Sequence, residues 1–153
     1  MPPGPNTDSN EVVANYIYQK LLNPTNMTAL GVNSVWYGDQ ELIPNTPALC
    51  VAPGNKKREF QGATFRTLNT FETYVLVYYS KIQDVQQNLH GATTLADAIE
   101  TLVHSDLLLG GNVFSVLCTQ NEPGMITKSG SLMMGARLTF ESQSKTTLPQ
   151  QVV

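Results

Sequence analysis

Residues 93–113 read TTLADAIETLVHSDLLLGGNV, an amphipathic segment that ends in three leucines and two glycines. Its apolar positions recur at the spacing of one buried helical stripe, formed by Leu95, Ile99, Leu102 and Val103. The pattern predicts a helix that is capped by Thr94 and packs against a sheet. Gly110 and Gly111 are typical of a helix C-cap, and the residues that follow return to a strand pattern.

The three leucines at the end of this helix are the first candidate site. Leu107, Leu108 and Leu109 are consecutive, and successive side chains on a helix point about 100° apart. One buried face therefore cannot take up all three side chains. We expect at least one of them to contact a second surface, and a neighbouring subunit is the simplest candidate.

The composition favours a protein that works inside an assembly. Charged residues make up 14% of the 153 residues, against about 25% in typical soluble domains. Asn, Gln, Ser and Thr together number 47, so neutral groups supply most of the polar surface. Interface cores are depleted in charge because charged groups are costly to desolvate. The alternative interpretation is an ordinary monomer with a surface poor in charge.

The charge distribution gives no sign of a nucleic-acid or membrane partner. The net charge of −3 offers no long-range attraction to phosphates. The single basic run, Lys56, Lys57 and Arg58, follows Pro53-Gly54 and is expected on a turn, either as a solvated tip or as a partner-contact loop. Residues 1–6 carry three prolines and no apolar run, so we expect no secretory signal there. No apolar stretch of the sequence approaches the roughly 20 residues of a membrane span.

The first half of the chain predicts one helix followed by short strands. The predicted elements are a helix at 9–22 capped by Asp8, a crossing loop at 27–32, a strand at 34–37, a loop at 40–47, a strand at 48–52 and a weak strand at 58–63.

The longest predicted strand covers residues 66–81, and its centre, residues 71–79, is apolar or aromatic on both alternating faces. Such a strand is central, or it is covered by a helix on one face and by a neighbouring subunit on the other. Tyr74 and Tyr78 lie on the second face and are the other candidates for a subunit interface. Aromatic residues there are expected in the core or an interface and not in base stacking, because no basic residues alternate with them.

The remaining elements complete an α+β fold. After a polar connection at 83–91 and the amphipathic helix, the sequence predicts a strand at 113–119, a turn at 121–124 and a last strand at 131–142. We expect a single mixed or antiparallel sheet with two α-helices packed on one face and a long β-hairpin. Residues 9–142 form the expected domain, and residues 1–8 and 143–153 are expected to be extended arms.

No catalytic, cofactor or metal site is predicted. Cys50 and Cys118 are expected to be small buried hydrophobes, and a disulfide would require their strands to be neighbours. His104 lies at the helix C-terminus, where an imidazole interacts favourably with the helix dipole, and the two histidines lack metal-ligand spacing. The alternative from another class is a small-ligand domain or enzyme that uses His90 or His104.

One set of motifs resembles a known family. The sequence contains Val35-Trp36-Tyr37-Gly38 near the start of the domain. It also matches the pattern D-x-x-L-G-G-x-V after the amphipathic helix, through Asp106, Leu109, Gly110, Gly111 and Val113. In this respect the chain resembles the tail terminator, or tail completion, proteins of long-tailed bacteriophages over residues 9–142.

The resemblance implies a structural role without catalysis or cofactor. Such proteins form a sixfold ring on the last ring of the tail tube, stop its polymerisation and meet the head-side connector, while DNA passes through the lumen. The implied partners are other copies of the chain, the tail tube protein and the head-side connector or stopper. The implied location is the neck of the virion, after assembly in the host cytoplasm. Another neck ring, such as a head-completion protein, is the alternative.

Overall fold

In the part of the chain that the structure describes, one five-stranded sheet carries helices on one face, and this confirms the predicted α+β class. The computed structural model describes residues 10–40, 45–61, 66–81, 85–128 and 130–147. The helices are α1 (Asn10–Leu22), α2 (Pro24–Leu30) and α3 (Val85–His104). The strands are β1 (Ser34–Tyr37), β2 (Ala48–Phe60), β3 (Arg66–Lys81), β4 (Ser115–Lys128) and β5 (Ser131–Thr147).

The sheet is mixed, with the order β1-β2-β3-β5-β4. Strand β1 is parallel to β2, and every other neighbouring pair is antiparallel. The β2–β3 pair is the predicted long hairpin, with a register that runs from Ala48 opposite Tyr78 to Phe60 opposite Thr67. Because β1 pairs with β2 only as far as Val51, the outer half of this hairpin extends beyond β1.

The main core lies between the sheet and helices α1 and α3. Both predicted helical stripes are confirmed, because the apolar residues of both helices belong to one core with the sheet. Helix α1 lies over β1, β2 and β3, and α3 lies over β3, β4 and β5. The larger buried side chains of the helices are Val13, Ile17 and Leu21 from α1 and Leu95, Ile99 and Val103 from α3. They pack against Val75, Val77, Leu138 and Phe140 of the sheet. Leu102, predicted in the same stripe, is partly buried.

A short helix replaces the predicted crossing loop at 27–32. The Asn23 side chain accepts a hydrogen bond from the Thr25 amide at 3.0 Å, and Pro24 stands in the first turn. Gly31 then ends α2 in the left-handed conformation. The Asn23-Pro24 pair therefore ends α1 and starts α2, because a proline that stops one helix is well placed at the first position of the next.

Helix α3 begins at Val85, well before the predicted start at Thr94. The polar segment before Thr94 is compatible with helix, and Gly91 within it does not break the helix. A Cβ at Gly91 would lie 2.3 Å from the Tyr79 ring. The glycine is therefore explained by the close approach of α3 to β3.

Two predicted turns lie inside strands. The Pro53-Gly54 pair is part of β2, which absorbs it with a bulge between Pro53 and Lys56. The predicted turn at 121–124 is part of β4, which runs on to Lys128. Both prolines stand where the outer side of the strand lacks a strand partner among the described elements, and proline is tolerated at such edges.

The structure describes part of the predicted C-terminal arm but none of the predicted N-terminal arm. The expected arm at 1–8, the cap at Asp8 and the predicted helix start at Ser9 lie outside the described residues. Strand β5 continues past the predicted end at 142, and residues 143–147 pair with β3. That part of the expected C-terminal arm belongs to the sheet, and residues 148–153 lie outside the described residues.

Candidate assembly surface

The leucine turn, residues 105–113, connects α3 to β4 and presents two of its three leucines to solvent. Leu107 and Leu108 are 55% and 54% exposed, whereas Leu109 is fully buried in the main core. The expectation that one face cannot bury all three side chains therefore agrees with the structure. Leu109 has no surface left to offer a neighbour, so the available apolar contact is the Leu107–Leu108 pair.

Asp106 holds the leucine turn against α1. Its carboxylate accepts a hydrogen bond from the Tyr16 hydroxyl at 2.6 Å and another from the Gly110 amide at 3.2 Å. Lys20 Nζ lies 3.8 Å from the same carboxylate. The Tyr16 hydrogen bond, followed by the Gly110 amide and the Lys20 charge, holds the pKa of the Asp106 carboxyl below its ordinary value of 3.8.

The backbone of the turn is left-handed at three consecutive residues. Leu109, Gly110 and Gly111 have φ values of 45°, 68° and 92°. A Cβ at Gly110 would lie 2.7 Å from the Tyr16 ring, so this glycine permits both the φ value and the contact with α1. Positive φ is unfavourable for leucine, and burial of the Leu109 side chain offsets that cost. The exposed pair is thus presented by a braced segment.

Further exposed apolar side chains follow the turn. The Val113 amide donates to the Leu108 carbonyl at 3.3 Å, which closes the turn directly before the exposed Phe114. Leu117 is exposed on β4, and Lys145 Nζ lies 5.6 Å from the centre of the Phe114 ring. Sequence reasoning missed Phe114 and Leu117 as surface residues, because an apolar strand residue is normally expected in the core.

The second face of β3 carries a small separate core. Tyr78 is only 2% exposed and packs with Cys50 and Met133. Its hydroxyl donates to Asp39 Oδ1 at 2.7 Å, and Lys128 Nζ lies 2.6 Å from the same oxygen. Burial is the main cause of the strongly raised pKa of Tyr78. Tyr78 therefore leaves almost no surface for a neighbouring subunit.

Tyr74 is the more accessible of the two predicted tyrosines. It is partly buried, and its hydroxyl donates to Glu72 Oε2 at 2.7 Å. The Arg137 guanidinium lies 4.7 Å from the centre of its ring. The hydrogen bond to Glu72 is the main cause of the raised pKa of Tyr74. Tyr74 is thus part of an ordered polar surface on the open face of the sheet.

The basic run lies in a strand and not on the predicted turn. Lys56, Lys57 and Arg58 belong to β2, pair with Phe71, Thr70 and Asn69, and are all exposed. Lys57 Nζ lies 2.9 Å from Glu59 Oε1, and this contact raises the pKa of Lys57. The pairing with β3 fixes the direction of all three cations, which a mobile turn would not do.

The histidines and cysteines occupy separate structural positions. His104 Nε2 accepts the Cys118 amide hydrogen at 2.9 Å, which ties the end of α3 to β4. His90 lines a cavity of about 440 Å³ between α2 and α3. The two imidazoles are fourteen residues apart on α3, or roughly 21 Å along a helix. Cys50 and Cys118 are free thiols on strands that are not neighbours.

The described residues contain no cluster of three or more His, Cys, Asp and Glu side chains with the geometry to hold a metal ion. Among the described helices none has the length and apolarity needed to cross a bilayer.

We expect Asp106→Asn to lower the free energy of unfolding by about 1 kcal/mol at neutral pH, because the carboxylate loses charge-assisted hydrogen bonds. The folded-state pKa of Asp106 is depressed, so this stabilisation is present above pH 3.8 and is lost as the pH falls through the folded-state value. Urea titrations of both proteins at about pH 7 and about pH 3 measure the difference. Tyr16→Phe in the Asp106→Asn background serves as the control and should add little. If the free energies of unfolding of the wild type and the variant differ by the same amount at both pH values, the stabilisation does not come from the ionised Asp106 carboxylate.

Comparisons with known proteins find a match of fold. The sequence matches no protein-family model and no curated protein. The fold matches a chain in the solved structure "Virion of native gene transfer agent (GTA) particle" with a TM-score of 0.53 and 16% sequence identity. The match covers 85% of this chain and 92% of that chain. The protein therefore shares its fold, over most of its length, with a component of a virion particle.

Proposed function

We propose that this protein is a structural virion protein, a tail terminator that forms a ring on the phage tail tube. The ring, hexameric in this proposal, stops polymerisation of the tube and joins the tail to the head-side connector. The observation that carries the proposal is the fold shared with a chain of a gene transfer agent virion over 85% of the present chain. The D-x-x-L-G-G-x-V resemblance of residues 106–113 supports the choice of terminator among virion proteins.

The braced leucine turn supplies the contact that such a role requires. Leu107 and Leu108 are exposed on a segment that Tyr16 and Asp106 hold in place. An apolar pair in a fixed geometry loses little conformational entropy when a partner covers it. Burial of one leucine side chain is worth about 1.5–3 kcal/mol. We propose this pair, together with Tyr74 on the open sheet face, as contacts to neighbouring proteins in the neck.

The remaining elements of the proposal follow from charge. Each copy carries a net charge of −3, so a lumen built from several copies has no overall attraction for DNA phosphates. DNA can then pass without sequence-specific binding. Lys56, Lys57 and Arg58 present fixed cations to an acidic partner. The work of the protein consists of binding its own copies, the tube protein and the head-side connector in the virion neck, after assembly in the host cytoplasm.

Capping of growing tail tubes tests this proposal directly. Purified protein is added to polymerising tube protein, and tube lengths and tube ends are recorded by negative-stain electron microscopy. We expect shorter tubes that carry one ring at a single end. Tubes of unchanged length without bound protein would overturn the proposal. Binding to the isolated head-side connector without binding to tubes would assign the protein to another neck ring.

A further inference from the structure

Positive charge is concentrated at one end of the sheet. The outer parts of β2, β3 and β5, residues 56–60, 66–70 and 143–147, carry five of the nine cationic side chains and a single carboxylate, Glu59. The five are Lys56, Lys57, Arg58, Arg66 and Lys145. This segment therefore has a formal charge of +4, and since the chain carries −3, the remainder carries −7. Such a separation favours contact between unlike ends of two molecules.

The cations of β2 straddle a sheet edge. Strand β1 covers β2 only as far as Val51, so the outer part of β2 has β3 as its sole strand partner among the described strands. Lys56 and Arg58 pair with Phe71 and Asn69, whose side chains lie on the helix side of the sheet, whereas Lys57 points to the open face. Two cations thus lie on one side of this edge and one on the other.

The opposite edge of the sheet carries the complementary pattern. Within the described strands, β4 is paired with β5 alone. Asn121 Nδ2 donates to Asp97 Oδ1 at 3.0 Å and to Glu100 Oε2 at 3.1 Å, which places both carboxylates beside the β4 edge on the helix side. Glu122 is opposite Arg137 on the open face. Two carboxylates therefore lie on one side of this edge and one on the other.

The strand directions allow the two edges to meet. Because the pairs β2–β3, β3–β5 and β5–β4 are all antiparallel, β2 and β4 run in opposite directions. Placing β2 of one copy beside β4 of the next continues the antiparallel alternation and keeps the helices of both copies on one side. A contact between two different surfaces of the same protein is heterologous, and repeated with a suitable rotation it closes a ring.

We propose that the basic β2 edge, Lys56 to Arg58, docks against the acidic α3–β4 edge, Asp97, Glu100 and Glu122, of a second copy of this chain. This assignment deepens the proposed ring and rests on it. It commits the basic run to contacts within the ring, with the tube end and the head-side connector as the competing partners. Lys57 exchanges its exposed pairing with Glu59 for a contact across the interface.

Two charge-reversed variants test the assignment. The first carries Lys56→Glu, Lys57→Glu and Arg58→Glu, and the second carries Asp97→Lys and Glu122→Lys, which leaves the partly buried Glu100 in place. All of the changed side chains are exposed, so both variants should keep the wild-type circular dichroism spectrum. Each variant alone should associate about tenfold or more weakly than the wild type, and their mixture should recover association, because unlike edges are restored.

Sedimentation velocity at low and high salt measures these effects. The wild type should form oligomers at low salt and dissociate as salt screens the contact. The mixture serves as the internal control, because it can recover association only if both variants are folded. A wild type that stays monomeric, a basic-run variant that associates normally, or a mixture that recovers nothing overturns the assignment.

The outcome is separable from that of the tube-capping experiment. In one outcome the wild type caps tubes, whereas the basic-run variant forms normal oligomers and fails to cap. The proposed function then stands, but the basic run contacts the tube, and the assignment to a second copy is overturned. If the wild type leaves tubes uncapped while the two reversed variants associate only with each other, the docking of copies stands and the tail-capping role fails.

Discussion

Gly135→Ala is expected to lower the free energy of unfolding by more than about 3 kcal/mol, near the upper end of single-residue effects. Gly135 lies on β5 opposite Tyr78, where the pairing with β3 shifts register. A Cβ there would be 1.9 Å from the Val77 carbonyl oxygen. Because the opposing atom is backbone in the middle of the sheet, the strands must separate or the pairing must break.

Urea denaturation at equilibrium measures this loss. Gly130→Ala is the matched control, since Gly130 has a positive φ of 76° but nothing within 4 Å of its added Cβ. The control therefore reports only the cost of a left-handed alanine, about 1–2 kcal/mol. If Gly135→Ala costs no more than Gly130→Ala, the close approach of β3 and β5 at this position is wrong.

Elements with strong local periodicity were predictable from the sequence. The stripe of Leu95, Ile99 and Val103 predicted which face of α3 packs against the sheet. The predicted bounds of the longest strand, 66–81, agree with those of β3, Arg66–Lys81. These signals depend on side-chain spacing within one element. The α+β class follows from them because both helical stripes need the same apolar sheet face.

Turn signals were less reliable, because tertiary pairing outweighed local propensity. Pro53-Gly54 reads as a turn, yet the Tyr74 side chain lies 2.7 Å from the Cβ position of Gly54, so the glycine serves a close contact inside a bulged strand. Pro123-Gly124 likewise lies on an edge strand opposite Ala136 and Gly135. Neither contact is encoded near the prolines in the sequence.

The candidate surface was predictable only in part for the same reason. Three consecutive leucines predicted that one face cannot bury all three side chains at 107–109. Which leucine is buried depends on the positive φ of Leu109 and on the Tyr16–Asp106 hydrogen bond. Tyr16 and Asp106 are 90 positions apart in the sequence. The burial of Tyr78 similarly depends on Asp39 and Lys128, which approach it only in the folded sheet.

Leu108→Asp is expected to abolish ring formation and tube capping while it leaves the fold intact. Leu108 is 54% exposed, so the substitution should change the free energy of unfolding by no more than about 0.5 kcal/mol. In an interface, a buried leucine contributes about 1.5–3 kcal/mol per contact. A desolvated carboxylate adds a further penalty unless it finds a partner, and a ring repeats both losses at every junction.

Two leucine variants separate assembly from folding in this experiment. Leu132→Asp changes a leucine of similar exposure, 50%, on the distant β4–β5 hairpin, and it should leave both fold and association unchanged. Leu109→Asp places a charge at a fully buried position and should unfold the protein. Thermal melting monitors the fold, and sedimentation velocity with tube-length measurements monitors assembly. If Leu108→Asp melts, associates and caps tubes like Leu132→Asp, the leucine turn is not an assembly surface. The exposure of the turn would then be an incidental result of the sharp reversal between α3 and β4.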